Sequence, residues 1–142
     1  MKRSDMMSDM MKAINLISIA FGAIAGTYAR YLLNLSLLYT GYPIGTVIEN
    51  LLGSFILGLL TGFFVWKKPK EWIKLGLGVG VCGGFTTYST FAGDVISLTQ
   101  HHLFWGAIYV IVSLVGGILL ALAGYLCGEA AGGNLVKVHE VK

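Results

Sequence analysis

The clearest chemical character belongs to residues 83–91, whose sequence is GGFTTYSTF. Two glycines followed by two threonines form a poor helix interior, because glycine loses much backbone entropy and threonine loses side-chain freedom. At membrane depth, non-helical backbone is tolerated where it lines a cavity or is buried in protein, and its carbonyl groups can then bind an ion. We therefore predict a helix break here, the alternative being a packing kink satisfied by Ser and Thr hydroxyls.

Four apolar segments position this stretch. Only 12% of the 142 residues are charged and 56% are hydrophobic, whereas a soluble domain is about 25% charged. Segments of about 20 apolar residues can cross a hydrocarbon core of about 30 Å. The four candidates are residues 13–33, 44–66, 73–97 and 104–127. We therefore predict an all-α integral membrane protein of four transmembrane helices with a break in helix 3.

The predicted organisation has three parts. They are a polar N-terminal tail (1–12), a transmembrane domain (13–127) and a cytoplasmic C-terminal tail (128–142). Glycines four residues apart allow helix backbones to approach closely in a membrane. Such pairs are Gly22/Gly26, Gly58/Gly62, Gly80/Gly84 and Gly124/Gly128. Four helices are too few to enclose a pore easily, so we expect an oligomer.

The distribution of Lys and Arg predicts the orientation. Nine of the ten lie in the tails or between the second and third segments, and residues 34–43 and 98–103 contain none. These nine are Lys2, Arg3, Lys12, Lys67, Lys68, Lys70, Lys74, Lys137 and Lys142. Because Lys and Arg are enriched in cytoplasmic loops, we expect both termini in the cytoplasm and the chain in the inner (plasma) membrane. Juxtamembrane charge of this kind does not indicate a nucleic-acid partner.

Three ordered motifs and a polar stripe resemble those of the Fluc (CrcB) fluoride channels. Residues 83–91 are similar to that family's GG-hydrophobic-TTFSTF stretch, and residues 22–31 resemble its GxxxGxxxRY pattern. Residues 43–55 resemble its PxGTLxxNxxGSF segment, and residues 109–113 resemble the polar stripe on its fourth helix. The resemblance covers residues 13–127, which is nearly the whole chain.

This resemblance implies an antiparallel (dual-topology) dimer that exports fluoride passively from the cytoplasm and relieves fluoride toxicity. The fluoride pathway would be formed by Asn50, Tyr88, Phe91, Tyr109 and Ser113. The backbone carbonyl groups of Gly83 and Thr86 would bind a structural Na⁺, which is not transported. The expected partners are the fluoride ion, the lipid bilayer and a second subunit. The residues show no nucleophile–base pair or metal cluster, so no enzyme is indicated.

Three positions depart from the family pattern. Tyr88 stands where the family has Phe, and Gly117 where many members have a hydroxyl residue. Glu49 replaces an apolar residue beside Asn50, and an ionisable residue in a membrane span is a candidate functional site. We expect Arg30 and Glu49 to form an ion pair or to line a vestibule. The alternative function is a proton-coupled small multidrug-type antiporter that uses Glu49.

The charge bias is a fourth departure. A homodimer that inserts in both orientations needs almost no Lys/Arg bias, because that bias sets the orientation. Nine charges against none commit this chain to one orientation. The antiparallel subunit is therefore either the same chain or, as the charge bias favours, an oppositely oriented homologue.

Overall fold

The computed structural model describes residues 3–37 and 43–140, with side chains for 5–37 and 43–134. Half of the predicted loop at 34–43 (residues 38–42) and the outermost residues of both tails, including Lys2 and Lys142, lie outside the described residues. The helices are α1 (Arg3–Leu37), α2 (Ile44–Lys67), α3 (Glu71–Lys74), α4 (Gly83–Phe85), α5 (Tyr88–His101) and α6 (Leu103–Glu140). A π-helical segment, Leu75–Cys82, joins α3 to α4.

Three described helices are long and apolar enough to cross a membrane. They lie at Asp5–Leu37, Ile44–Lys67 and Leu103–Asn134, and they contain the predicted first, second and fourth segments. The predicted third segment, 73–97, is divided among α3, the π-helical segment, α4 and α5. The chain is thus nearly all helical and a multi-pass membrane protein. Helix α1 begins ahead of the predicted membrane domain, because residues 3–12 continue the same helix.

The end of α2 follows from its last residues. Lys68 adopts a left-handed conformation with φ 40°, and its N–H donates to the Phe64 carbonyl oxygen at 3.1 Å. This geometry closes the last helical turn. Pro69 follows and cannot continue the helix, because it has no backbone N–H. The chain then turns back into α3.

Most buried positions of the described chain hold small residues, with Glu49 and Tyr109 as large exceptions, and many large apolar side chains are exposed. A Cβ added at Gly58 would collide with the carbonyl oxygen of Ala121, and one at Gly124 would collide with that of Phe55, so α2 and α6 are in backbone contact. A Cβ at Gly22 would likewise collide with the carbonyl oxygen of Gly76. The glycine packing predicted from the sequence is confirmed. Close approach of this kind replaces the hydrophobic drive that a membrane does not supply.

Candidate functional site

The backbone leaves helical geometry at two threonines between α4 and α5. Thr86 (φ −80°, ψ 159°) and Thr87 (φ −146°, ψ 125°) are extended. The N–H of Thr86 donates to the Cys82 carbonyl oxygen at 2.9 Å, which closes the preceding turn. The Thr87 hydroxyl accepts from the N–H of Thr90 at 3.3 Å, so Thr87 is the N-cap of α5. Threonine is a favoured N-cap residue because its oxygen satisfies an unpaired helix N–H.

Asn50 of α2 hydrogen-bonds to the backbone at this interruption. Its Nδ2 donates to the Thr87 carbonyl oxygen at 3.0 Å, and its Oδ1 accepts from the Thr87 N–H at 2.9 Å. The amide therefore replaces both backbone hydrogen bonds that Thr87 would make in a continuous helix. Because Nδ2 carries two hydrogens, one N–H of Asn50 remains for another acceptor. The structure adds a structural role to the pathway role that was predicted for Asn50.

Arg30 of α1 also contacts the interruption. Its Nη1 donates to the Thr86 carbonyl oxygen at 3.2 Å. The hydroxyl of Thr27, one turn earlier, lies 3.4 Å from the Gly84 carbonyl oxygen. Neither carboxyl oxygen of Glu49 has a hydrogen-bond partner within the described chain. Among the described residues Arg30 and Glu49 form no direct ion pair, and the guanidinium hydrogen-bonds to the backbone of the interruption. Their alternative role, in a vestibule, stays a prediction.

The same backbone can be compared with the needs of the predicted Na⁺. A hard cation prefers oxygen ligands, and an interrupted helix presents carbonyl oxygens. A Cβ added at Gly83 would meet nothing within 4 Å, and the residue is exposed, so space remains beside it. The Thr86 oxygen already accepts from Arg30, but a carbonyl oxygen has a second lone pair. Gly83 and Thr86 thus fit a carbonyl-only cation site.

An open cavity of about 890 Å³ runs beside the interruption. Among the residues that line it are Asn50, Thr87, Tyr88, Phe91 and Ser113. The structure thus brings four of the five predicted pathway residues to one groove. Tyr88 is 81% exposed and projects from the single chain, whereas the Ser113 hydroxyl is buried and has no partner within the described chain.

The fifth pathway residue, Tyr109, does not line this groove but is linked to it by ring contacts. It lines a second cavity of about 330 Å³ beside α2. The rings of Tyr88 and Phe91 have centroids 6.1 Å apart. Phe91 stacks on Tyr109 with centroids 5.5 Å apart and an interplanar angle of 18°. The Tyr109 hydroxyl donates to Oδ2 of Asp94 at 2.8 Å. Its only hydrogen is therefore engaged within the chain.

Two site residues were missed by the sequence analysis. Asp94 is a carboxylate in a membrane segment, and that property alone marks a candidate functional residue. Ser54 lines the groove from α2, and a Cβ added at Gly117 would lie 3.5 Å from its hydroxyl oxygen. The Ser54 hydroxyl of α2 thus lies beside Gly117, where α6 has no side chain. No sequence pattern predicts this contact, because it depends on the register between two helices.

Known proteins are similar in sequence to this chain over most of its length. Residues 17–125 match the family model described as CrcB-like protein, Camphor Resistance (CrcB). The fluoride-specific ion channel FluC 2 of Halalkalibacterium halodurans is 57% identical over 111 residues, which cover 78% of this chain and 83% of that protein. The protein of the same name from Bacillus subtilis is 39% identical over 116 residues, covering 82% and 88%. That from Bacillus licheniformis is 37% identical over 124 residues, covering 87% and 94%.

The family match, over residues 17–125, includes α2, the interrupted helix and the part of α6 that carries Tyr109 and Ser113. The match extends over well more than half of the chain. The chain therefore belongs to the Fluc (CrcB) family.

Proposed function

We propose that this chain is a subunit of a fluoride-specific channel that lets fluoride leave the cytoplasm passively. The observation that carries this proposal is the buried Ser113 hydroxyl, which has no partner within the described chain and lies in the groove beside Phe91. A buried polar group without a partner is rare in native structures and calls for an unseen ligand. The names of the relatives support fluoride as that ligand.

The groove offers weak donors in sequence. Ser113 supplies an O–H, Asn50 supplies its second N–H, and the ring edges of Tyr88 and Phe91 supply the positive rim of an aromatic quadrupole. An ion passes only where its ligands replace water without binding too tightly to release it. The Tyr109 hydroxyl donates to Asp94, so Tyr109 reaches fluoride only by exchanging that hydrogen bond. Asp94 is in this way a positioning residue for Tyr109.

The direct test is anion efflux from liposomes that contain the purified protein. We expect electrogenic fluoride efflux with little chloride efflux under the same gradient. Equal fluoride and chloride efflux would overturn the proposal. Proton-coupled flux of an organic cation that Glu49→Gln abolishes would favour the antiporter instead.

The proposal includes an antiparallel dimer with a structural Na⁺ bound by the carbonyl oxygens of Gly83 and Thr86. Tyr88, which is 81% exposed on a single chain, and the open groove beside it are compatible with a second subunit on this face. When bound, Na⁺ would neutralise the carbonyl dipoles gathered at the interruption. Exchange of all sodium for a large organic cation during purification should lower the dimer's thermal stability. Unchanged stability and conduction in sodium-free buffer would refute the ion site.

The partner and the orientation are part of the same proposal. The Lys/Arg bias of nine to none favours cytoplasmic termini and an oppositely oriented homologue as the second subunit. Two different chains would make two unequal pathways, because only one carries Tyr88 and Gly117 in this arrangement. Fluoride efflux from liposomes with this chain alone, and then with a homologue of opposite bias, separates the two assemblies.

A further inference from the structure

Glu49 is a carboxyl group completely enclosed by its own chain. Its exposed fraction is 0%, and neither carboxyl oxygen has a hydrogen-bond partner within the described residues. It lies in the first half of α2, in a membrane span. Because the single chain already encloses Glu49, a second subunit cannot reach its carboxyl oxygens. Whatever compensates the carboxylate must come from this chain or be small enough to enter it.

Two of the polar groups around Glu49 are engaged elsewhere. Arg30 acts on it electrostatically from α1, the neutral amide of Asn34 lies near it on the same helix, and Asp94 acts on it from α5. Tyr109 approaches from α6. Arg30 donates to the Thr86 carbonyl oxygen and Tyr109 donates to Asp94. Arg30 and Tyr109 are the cation and the hydroxyl group that could compensate a charge on Glu49, and both are thus hydrogen-bonded to other acceptors.

Three states of Glu49 can be compared. A buried ionised carboxylate without hydrogen bonds carries a large desolvation cost, which a protein usually avoids by neutralising the group. A bound metal ion needs several oxygen ligands, and among the described residues no group of three or more His, Cys, Asp and Glu side chains could hold one. A proton needs no space. We propose that Glu49 is a proton-binding site, which holds the carboxyl group neutral in the folded channel.

The bound proton has a consequence for the anion pathway. A second carboxyl group, Asp94, accepts a hydrogen bond from Tyr109, whose ring stacks on Phe91. With Glu49 neutral, Glu49 adds no charge beside this Tyr109–Phe91 stack. Loss of the proton would add one negative charge there. Repulsion at this range should lower fluoride efflux by about tenfold.

This proton is held and is not transported. Glu49 has no exposed surface in the chain, whereas the carboxylate of a proton-coupled antiporter must be reached from both sides of the membrane. The proposal therefore differs from the antiporter that uses the same residue. It goes beyond the proposed function, because protonation of Glu49 does not require that the chain conducts fluoride.

Infrared spectroscopy tests the proton without measuring transport. The purified full-length protein at neutral pH should show the C=O stretching band of a protonated carboxylic acid. The band should disappear in Glu49→Gln and in the apolar variant Glu49→Leu, and it should persist in Asp94→Asn. If the wild-type protein lacks the band, or if the band is lost in Asp94→Asn and kept in Glu49→Gln, the assignment is wrong. The wild-type spectrum alone shows whether the folded protein contains a protonated carboxylic acid, even where a variant does not fold.

Fluoride efflux provides the functional arm and depends on the proposed function. In the wild-type protein, fluoride efflux at strongly alkaline pH should be about tenfold slower than efflux at neutral pH. In Glu49→Gln, which cannot ionise, the two rates should be equal. An equal alkaline decline in both proteins would overturn the link between Glu49 and conduction. A protein with the infrared band and no fluoride flux would refute the proposed function and leave the proton site standing.

Discussion

The side-chain amide of Asn50 and the backbone of Thr87 form a two-point hydrogen-bonded pair. Thr87 receives a hydrogen bond at its carbonyl oxygen (3.0 Å) and donates one from its N–H (2.9 Å). The pair joins α2 to the interrupted helix at the point where two extended threonines stop the helical hydrogen bonding. One side chain thus stabilises the interruption and also lines the groove beside it.

Replacement of Asn50 with alanine should destabilise the fold. Both backbone groups of Thr87 would lose their partners, and an unsatisfied buried group costs about 1–3 kcal/mol. We expect the free energy of unfolding in detergent to fall by at least about 2 kcal/mol. The control is Asn134→Ala, at an exposed position of α6. Equal stability of Asn50→Ala and the wild-type protein would show that the interruption is stable without this pair.

The hydrogen bond between Tyr109 and Asp94 should be measurable as a coupling energy. Tyr109→Phe removes the hydroxyl and keeps the ring that stacks on Phe91. A hydrogen bond to a charged group contributes about 1.5–3 kcal/mol. A double-mutant cycle with Asp94→Asn should therefore give non-additive losses of thermal stability. Strictly additive losses would mean that the two side chains are independent.

Removal of the Ser113 hydroxyl should separate stability from conduction. The hydroxyl has no partner within the described chain, so Ser113→Ala should change the unfolding free energy by less than about 0.5 kcal/mol. Fluoride efflux should fall by about tenfold, which corresponds to one lost hydrogen bond to the ion. Ser36→Ala is the matched control, because the Ser36 hydroxyl is exposed and donates to the Leu33 carbonyl oxygen of its own helix. Unchanged efflux in Ser113→Ala would remove Ser113 from the pathway.

The glycine contacts between α2 and α6 should not tolerate even a methyl group. A Cβ at Gly58 would collide with the backbone carbonyl of Ala121, and a collision with backbone cannot be relieved by a side-chain rotation. We expect Gly58→Ala to lower the unfolding free energy by about 1–3 kcal/mol. Gly93→Ala is the control, because a Cβ there meets nothing within 4 Å in the chain. Equal tolerance of both variants in a thermal-unfolding assay would argue against backbone contact.

The orientation of the chain should depend on its flanking charges. Reporter tags or cysteine accessibility at the C-terminus, in cells that express only this chain, should give a cytoplasmic location. Additional lysines in residues 98–103 should loosen this preference, because they reduce the Lys/Arg bias. A C-terminus found on both sides in similar amounts would refute the single orientation and support an ordinary homodimer.

Composition and local residue patterns were enough to predict the membrane helices, the region of weak helix propensity and the family. Apolar segments of sufficient length predicted membrane helices, because hydrocarbon accepts only segments that satisfy their own backbone. Gly83, Gly84, Thr86 and Thr87 marked the region where helix propensity is weak. The glycine pairs predicted backbone contact, which the structure confirmed between α2 and α6. The ordered motifs identified the family.

The hydrogen-bond partners of the polar side chains, in contrast, depend on how the helices pack against one another. Arg30 contacts the Thr86 carbonyl oxygen and not Glu49, and Asp94 receives the Tyr109 hydroxyl although 15 positions separate them in the chain. Such pairings depend on the depth and rotation of packed helices, which residue spacing within one helix does not determine. The complete enclosure of Glu49 has the same origin, because an α2 side chain becomes buried only when α1, α5 and α6 close around it.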